Sequence, residues 1–152
     1  MVVDDSVRSC LVGAWELVEY SMTASTGEVH YPLGPDATGL IMYTADGYMS
    51  AQLMAPDRQR FAAPGVHSGT EDELSSAASG YLAYSGRYQI EDNCRTVHHV
   101  VSASLFPNWI GTDRIRYIDV LDNENLTLTS VSQQMRGMSW DPAVVWRRAR
   151  AS

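Results

Sequence analysis

The chain of 152 residues contains no lysine, so its 11 basic residues are all arginines. Without a lysine amine, Schiff-base catalysis and phosphate binding by a P-loop lysine are excluded. Positive charge is scarce as well, since 18 acidic residues against 11 basic ones give a net charge of −7. We therefore expect neither a nucleic-acid partner nor an anionic membrane partner.

Cysteine is also rare, and Cys10 and Cys94 are too far apart for a CxxC redox motif or a zinc ribbon. The GxSxG, GxGxxG and P-loop patterns are missing, so we expect no nucleotide, flavin or other cofactor. No apolar run approaches the ~20 residues of a membrane helix. The N-terminal stretch MVVDDSVRS lacks the basic and apolar regions of a signal peptide. These absences predict a cytoplasmic protein with reduced thiols.

What the sequence does contain is a series of short β-rich segments separated by turn signals. The length fits a single domain over 1–152, and 45% apolar residues suffice for a packed core. The strongest signal is Ala45-Asp46-Gly47 between two β-rich runs in residues 38–54, which predicts a hairpin. Further strands are predicted at 11–22, 84–91, 96–105, 114–121, 126–131 and 143–148.

Residues 68–83 depart from the strand pattern. Thr70 followed by Glu73 is a capping-box signature, and the apolar positions 74, 77, 78, 81 and 82 form a stripe at helical spacing. One short helix is predicted here. About eight strands with one helix predict an all-β fold, either an antiparallel barrel or a sandwich, and apolar–polar alternation does not choose between them.

Stretches spread over nearly the whole chain carry a family resemblance. They are LVGAWELV, with the G-x-W pattern Gly13-Ala14-Trp15, then YPLGPDATGLIMYTADGYMSAQLM, GYLAYSGRY, HHVVSASLFPNWIGTD and the closing VVWRRA. Together they resemble the small bacterial and fungal lipocalin-like domain proteins. The resemblance implies a lipocalin-like antiparallel β-barrel whose internal cavity holds a hydrophobic small molecule.

The resemblance also implies a place for Trp15 and a broad class of function. In lipocalins the G-x-W tryptophan packs at the closed end of the barrel, under an arginine from the last strand, and Arg147 and Arg148 are the candidates. Members of the family often lie among genes for polyketide-type secondary metabolism, and some related barrels close rings without a cofactor. A homodimer stays open as an alternative to a monomer.

His98 and His99 are candidate catalytic residues, since an imidazole exchanges protons near neutral pH. Adjacent residues of a regular strand point to opposite faces, so only one of them faces the interior and they do not form a metal pair. No HxH or HExxH spacing occurs elsewhere, and we expect no metal site. The inward face is predicted to be the apolar one that His99 shares with Val97, Val101, Ala103 and Leu105. The alternative is that a bulge turns His98 inward, or that the serines of its face line a polar pocket.

Glu19 is a third catalytic candidate, because alternation places it on the same strand face as Trp15 and Leu17. Inside a barrel, its carboxyl group would be a base with a raised pKa or the partner of an inward arginine. The alternative is that the strand twists and carries Glu19 to the rim.

Candidate ligand contacts come from several strands and from the loop after the histidine strand. In residues 48–54 the polar set Tyr48, Ser50 and Gln52 competes with an apolar set for the interior, and both alternatives stay open. Trp109 is predicted to cover the barrel mouth as an aromatic lid. Cavity-lining tyrosines are expected at 43, 84 and 88 (Tyr43, Tyr84, Tyr88), and either Arg87 or Arg116 is a candidate anchor for a carboxylate or enolate.

Two functions fit these observations. Our prediction from the sequence is a cofactor-free cyclase, isomerase or dehydratase that acts on a hydrophobic, oxygenated, polyketide-like intermediate. His99 or His98 would move a proton, and a hydroxyl, amide or guanidinium group would stabilise an oxyanion. The alternative is a non-catalytic carrier or sequestering protein for a small hydrophobic ligand.

Overall fold

The computed structural model describes residues 5–151. The elements are α1 (Asp5–Leu11), β1 (Gly13–Ala24), β2 (Val29–His30), β3 (Thr38–Tyr43), β4 (Tyr48–Met54), α2 (Glu71–Ser79), β5 (Tyr81–Ile90), β6 (Thr96–Ser104), a 3-10 turn (Pro107–Trp109), β7 (Asp113–Leu121), β8 (Asn125–Thr129), β9 (Gln133–Met135) and β10 (Met138–Arg148). Residues 1–4 and 152 lie outside the described residues. The first four belong to the stretch MVVDDSVRS, and the last belongs to the predicted domain.

Eight strands form a closed antiparallel barrel. They hydrogen-bond in the order β1-β3-β4-β5-β6-β7-β8-β10, and β10 pairs back with β1 from Trp15↔Arg148 to Ala24↔Trp140. The short strand β2 pairs antiparallel with β1, and the short strand β9 pairs antiparallel with β10. This closure decides between the two predicted architectures, and the barrel is confirmed. No helix within residues 5–151 is long and apolar enough to cross a membrane.

One end of the barrel is closed by α1 and Trp15. Trp15 is 0% exposed, and its Nε1 donates a hydrogen bond to the carbonyl oxygen of Leu11 at 3.0 Å. The guanidinium carbon of Arg148 lies 3.8 Å from the centre of the Trp15 ring, and Arg148 also donates to the carbonyl oxygens of Val12 and Cys10. The structure therefore has the expected tryptophan plug, with Arg148 and not Arg147 above it.

Two β-bulges reverse the inward face partway along a strand. In β1 the register shifts between Leu17 and Glu19, so that Trp15 faces inward before the bulge and Tyr20 after it. Glu19 consequently points outward, which corrects its predicted interior position. In β6 the register against β5 shifts at Gly86, where a Cβ atom would lie 1.9 Å from the carbonyl oxygen of Val100. Beyond this bulge Ala103 and Leu105 leave the predicted inward face, and both are exposed.

The predicted helix is present but shorter than residues 68–83. Its capping box is formed, since the Glu73 amide donates to Thr70 Oγ1 at 3.2 Å and the Thr70 amide donates to Glu73 Oε1 at 2.9 Å. The helix ends at Ser79 because Tyr81 and Leu82 belong to β5. Helix α1 and strands β2 and β9 were not predicted.

Candidate ligand-binding site

A cavity of about 70 Å³ lies inside the barrel, towards the end opposite to Trp15. Every barrel strand except β6 contributes to its wall, which is mostly apolar like that of a small-molecule site, although its volume is smaller than the ~300–1,000 Å³ typical of such sites. The apolar lining comprises Ile41, Ala51, Leu53, Leu82, Trp109, Leu128, Pro142, Val144 and Trp146. The polar lining comprises Tyr20, Tyr84, Arg114, Arg116, Thr129, Ser130 and Gln133. No carboxylate belongs to the lining formed by residues 5–151.

His99 lies behind this wall and is the inward member of the histidine pair, as predicted. It is 0% exposed, with Nε2 2.7 Å from the hydroxyl oxygen of Tyr43 and Nδ1 3.0 Å from that of Tyr84. Burial lowers the pKa of His99 to about 3, and the positive charge of Arg116 acts in the same direction. The ring is therefore neutral at physiological pH, so one ring nitrogen donates to a tyrosine and the other accepts.

A chain of hydrogen bonds runs from His99 to the cavity surface. Tyr84 contacts His99 and also lines the cavity, where the positive charge of Arg116 favours the ionised form of its hydroxyl without outweighing burial. Burial raises the pKa of Tyr43, Tyr84 and Tyr20 above the usual phenol value, so these hydroxyls stay protonated. The cavity therefore has neutral hydroxyl groups beside its guanidinium groups.

Arg114 and Arg116 project into the cavity from β7, because residues two apart on a strand share a face. Their guanidinium carbons lie 4.6 and 5.8 Å from the centre of the Trp109 ring. Neither arginine forms an ion pair with another of the described residues. Burial, followed by the charge of Arg116, lowers the pKa of Arg114.

Two N–H donors of lining residues are buried without an acceptor among residues 5–151. They are Nε of Arg114 and Nε1 of Trp146. Most buried donors in folded proteins are hydrogen-bonded, so two orphans on one cavity form a notable cluster. Both are unused N–H donors on residues that line the cavity.

Trp109 stands where the β6–β7 connection passes the cavity. The 3-10 turn presents its ring edge-on to Tyr84, with centres 5.2 Å apart, and to Phe106, with centres 5.9 Å apart. Trp109 lines the cavity and is half-buried, which is the placement predicted for an aromatic lid. Its action as a lid stays a prediction.

Comparison with known proteins identifies the family. The sequence model of the lipocalin-like domain matches residues 12–149. The chain belongs to the lipocalin-like domain family. Over 107 residues it is 36% identical to the 4'-hydroxy-3'-methoxypropiophenone carrier protein ppsC of Aspergillus oryzae, covering 66% of this chain and 96% of that protein.

Two solved structures have a similar chain path. A lipocalin-like protein from Bacteroides uniformis has a TM-score of 0.49 and 12% identity, and the match covers 92% of this chain and 99% of that one. A redesigned β-barrel has a TM-score of 0.46 and 9% identity, and the match covers 95% and 96% of the two chains.

His98 lies on the outside of this lipocalin-like barrel, which removes it from the cavity. Its Nε2 is 2.6 Å from Glu91 Oε1, and its Nδ1 is 2.6 Å from Asp113 Oδ2. These hydrogen bonds, that of Glu91 first, raise the pKa of His98. The two adjacent histidines thus have opposite surroundings and opposite pKa shifts.

The polar face of β4 is also on the outside, so Tyr48, Ser50 and Gln52 do not line the cavity. The inward positions belong to Met49, Ala51 and Leu53, because burying apolar side chains is worth more than exposing them. On the outer face Tyr48 stacks on Arg87, Ser50 contacts Ser85, and Gln52 accepts a hydrogen bond from Tyr81. Arg87 is thereby placed outside as well.

The remaining candidates divide between the lipocalin-like cavity and its supporting layer. Trp109 and Arg116 line the cavity, whereas Tyr43 and Tyr88 are buried behind it. Tyr88 donates to the carbonyl oxygen of Thr44 at 2.6 Å, and its ring meets Tyr43 edge-on.

Tyr20, Arg114 and Trp146 are lining residues that the sequence argument did not select. For Arg114 a signal was available, since its spacing of two from Arg116 places both on one strand face.

Proposed function

We propose that this protein is a non-catalytic carrier that holds a small, hydrophobic, oxygenated molecule in the barrel cavity. The observation that supports this most directly is the pair of buried donors without acceptors, Arg114 Nε and Trp146 Nε1. A buried unpaired donor costs about 1–3 kcal/mol, so a ligand oxygen that accepts from either group gains that energy on binding. Such groups in a wall with nine apolar lining residues favour a ligand with an apolar body and a few oxygens.

The aromatic lining favours a ligand that contains a ring. Trp109 and Tyr84 meet edge-to-face beside the cavity, and aromatic rings gain about 0.5–1.5 kcal/mol from such packing beyond the area they bury. The named ligand of the A. oryzae relative is an aromatic ketone with hydroxyl and methoxy groups. That combination of ring and oxygens suits this lining, and the relative is named a carrier.

A second candidate is the cofactor-free cyclase, isomerase or dehydratase predicted from the sequence. The hydrogen bond between His99 and Tyr84 supports it, because Tyr84 connects the histidine to the cavity surface. The low pKa of His99, about 3, makes the imidazole a weak base at physiological pH. This property favours a structural role for His99 and so supports the carrier over the enzyme.

The binding test uses 4'-hydroxy-3'-methoxypropiophenone and isothermal titration calorimetry. We expect saturable 1:1 binding that Trp109→Ala and Tyr84→Ala weaken. The matched control is Tyr48→Ala, which removes an aromatic side chain from the outer face and should leave the affinity unchanged. Equal loss in all three variants would place the binding site outside the barrel, and no binding to the wild type would reject this ligand class.

Turnover separates the two candidates. The bound ligand is recovered after prolonged incubation at excess protein and analysed by mass spectrometry and chiral chromatography. A carrier returns the ligand unchanged. Conversion that His99→Gln abolishes would support the enzyme instead.

A further inference from the structure

We propose that Arg114 and Arg116 form an anion subsite, so that the cavity takes up its ligand as an oxyanion: a phenolate, an enolate or a carboxylate on an apolar body. This inference rests on the proposed carrier function, because it concerns the same cavity. It adds the ionisation state of the ligand and the residues that select it.

The cavity lining has positive charge but no negative charge among residues 5–151. The chain has a net charge of −7, yet the lining formed by residues 5–151 holds two guanidinium groups and no carboxylate. The carboxylate adjacent in sequence, that of Asp113, is turned outward and lies 2.6 Å from His98 Nδ1. The positive charge of the subsite is therefore not neutralised from inside the barrel.

Placing two unpaired guanidinium groups side by side in the cavity wall costs free energy. Two like charges on neighbouring inward positions repel each other, and a charge removed from water is costly unless it is paired. Stacking of Arg114 on Trp109, at 4.6 Å, offsets part of this cost. An oxyanion would neutralise one charge and accept charge-assisted hydrogen bonds, including one from the unpaired Nε of Arg114.

The other polar groups around the subsite are not anions, so they do not compete with a ligand oxyanion for the two arginines. Tyr20 on β1 and Tyr84 on β5 stay protonated, since burial raises the pKa of each. His99 on β6 is neutral above a pKa of about 3. Thr129, Ser130 and Gln133 are uncharged. The pH dependence of binding near neutrality would therefore report the ionisation of the ligand itself.

The test compares an ionisable probe with its neutral counterpart. The probes are 4'-hydroxy-3'-methoxypropiophenone and its 4'-O-methyl ether, which differ by one methyl group in place of the acidic proton. An opposite charge nearby lowers the pKa of an acid by about 1–3 units. We expect the bound phenol to ionise at least about one pH unit below the free phenol, seen as the red-shifted absorbance of a phenolate.

The affinity for the phenol should depend on pH, because binding and ionisation of the phenol are linked. Between the bound and free pKa values of the phenol, its affinity should rise about tenfold per pH unit, and it should be constant above the free pKa. The affinity of the ether should not change with pH. Arg114→Gln and Arg116→Gln should each abolish the red shift or move it to higher pH. The matched control Arg87→Gln, an arginine on the outer face, should leave the shift in place.

The outcomes separate this inference from the carrier proposal. If the phenol and ether bind equally and the bound phenol shows no shift, the anion subsite is rejected while the carrier function stands. If neither probe binds at any pH, the subsite and the carrier proposal for this class of ligand are both rejected. The wild-type spectrum decides between these outcomes even where an arginine variant does not fold.

Discussion

The Nε2 atom of His99 lies 2.7 Å from the hydroxyl oxygen of Tyr43, and both side chains are buried, with exposures of 0% and 2%. A second tyrosine, Tyr84, contacts Nδ1 on the other side of the ring. The imidazole is carried by β6 and therefore links this strand by hydrogen bonds to side chains of β3 and β5. Burial, and then the positive charge of Arg116, disfavour a protonated ring at this position, so the folded state favours the neutral form.

The stability of the protein should consequently depend on His99 at acidic pH. Its folded-state pKa is about 3 against an ordinary value of 6.5, so between these values the unfolded chain binds more protons. The free energy of unfolding should fall as pH decreases from 6.5 towards 3, by at most about 1.4 kcal/mol per pH unit. Urea denaturation at a series of pH values measures this slope.

The variant His99→Gln should flatten that slope, because its amide does not titrate. The matched control is His67→Gln, which changes an exposed histidine in the loop before α2. It should retain the wild-type slope. An unchanged slope in His99→Gln would show that another group controls acid stability.

His98 should titrate in the opposite direction from its neighbour. The hydrogen bonds that His98 donates to Glu91 and then to Asp113 raise its folded-state pKa, so its stabilising effect is complete below pH 6.5 and is lost as pH rises through the folded pKa. The exposed carboxylates limit the effect to less than about 1 kcal/mol. An NMR titration should show a midpoint above 6.5 for His98.

Removal of the stronger partner tests this cause. Glu91→Gln should lower the His98 midpoint, whereas Glu28→Gln, on an exposed turn, should not move it. A midpoint that Glu91→Gln does not change would assign the raised pKa to Asp113 or to the barrel as a whole.

Much of the barrel follows from local patterns in the sequence. The Asp46-Gly47 turn, the capping box of Thr70 and Glu73, and the inward position of His99 depend on residues close to each other in the chain. Such patterns are set by backbone geometry and predict structure well. The position of Glu19 could not be obtained in this way, because the bulge at Leu17 depends on pairing with β10, which is more than a hundred residues away.

The cavity side of β7 shows a different reason for the limits of sequence argument. An apolar-inward rule would place Ile115 and Tyr117 inside and Arg114 and Arg116 outside. The structure has the reverse, with Ile115 40% and Tyr117 41% exposed. If β7 contacts a ligand as proposed, its inward face is selected for polar contacts and not for a packed core, and a general burial rule fails there.

The closed end of the barrel offers a prediction about stability alone. Arg148 stacks on Trp15 and donates to backbone carbonyl groups of residues 10, 12 and 123, so Arg148→Met should lower the free energy of unfolding by about 2–4 kcal/mol. Arg147→Met, at the neighbouring exposed position, should change it by less than about 0.5 kcal/mol. Equal effects would mean that charge, and not the contacts of Arg148, stabilises this end.

Ligand affinity should be unaffected in both arginine variants, because neither side chain lines the cavity. Calorimetry with 4'-hydroxy-3'-methoxypropiophenone checks this separation of stability from binding. A loss of affinity in Arg148→Met without a change in stability would instead couple the closed end to the ligand site.

Trp146 and Trp140 form a matched pair for the role of the unpaired donor. Both are buried, at 2% and 0% exposure, but only Trp140 has a partner for its Nε1, the carbonyl oxygen of Met135 at 3.0 Å. Replacement by phenylalanine removes a similar volume and one N–H from each. Trp140→Phe also leaves that carbonyl without its donor, so it should be the more destabilising change, by about 1–3 kcal/mol.

Ligand binding should show the reverse order. Trp146 lines the cavity, whereas Trp140 packs with Met22 and Ala24 in a separate cluster. Trp146→Phe should therefore weaken binding of 4'-hydroxy-3'-methoxypropiophenone by about tenfold, equivalent to one hydrogen bond of about 1.4 kcal/mol, and Trp140→Phe should leave it unchanged. Urea denaturation and calorimetry on the same two variants give both orders. If Trp146→Phe loses stability but keeps its affinity, its N–H is not the group that the ligand satisfies.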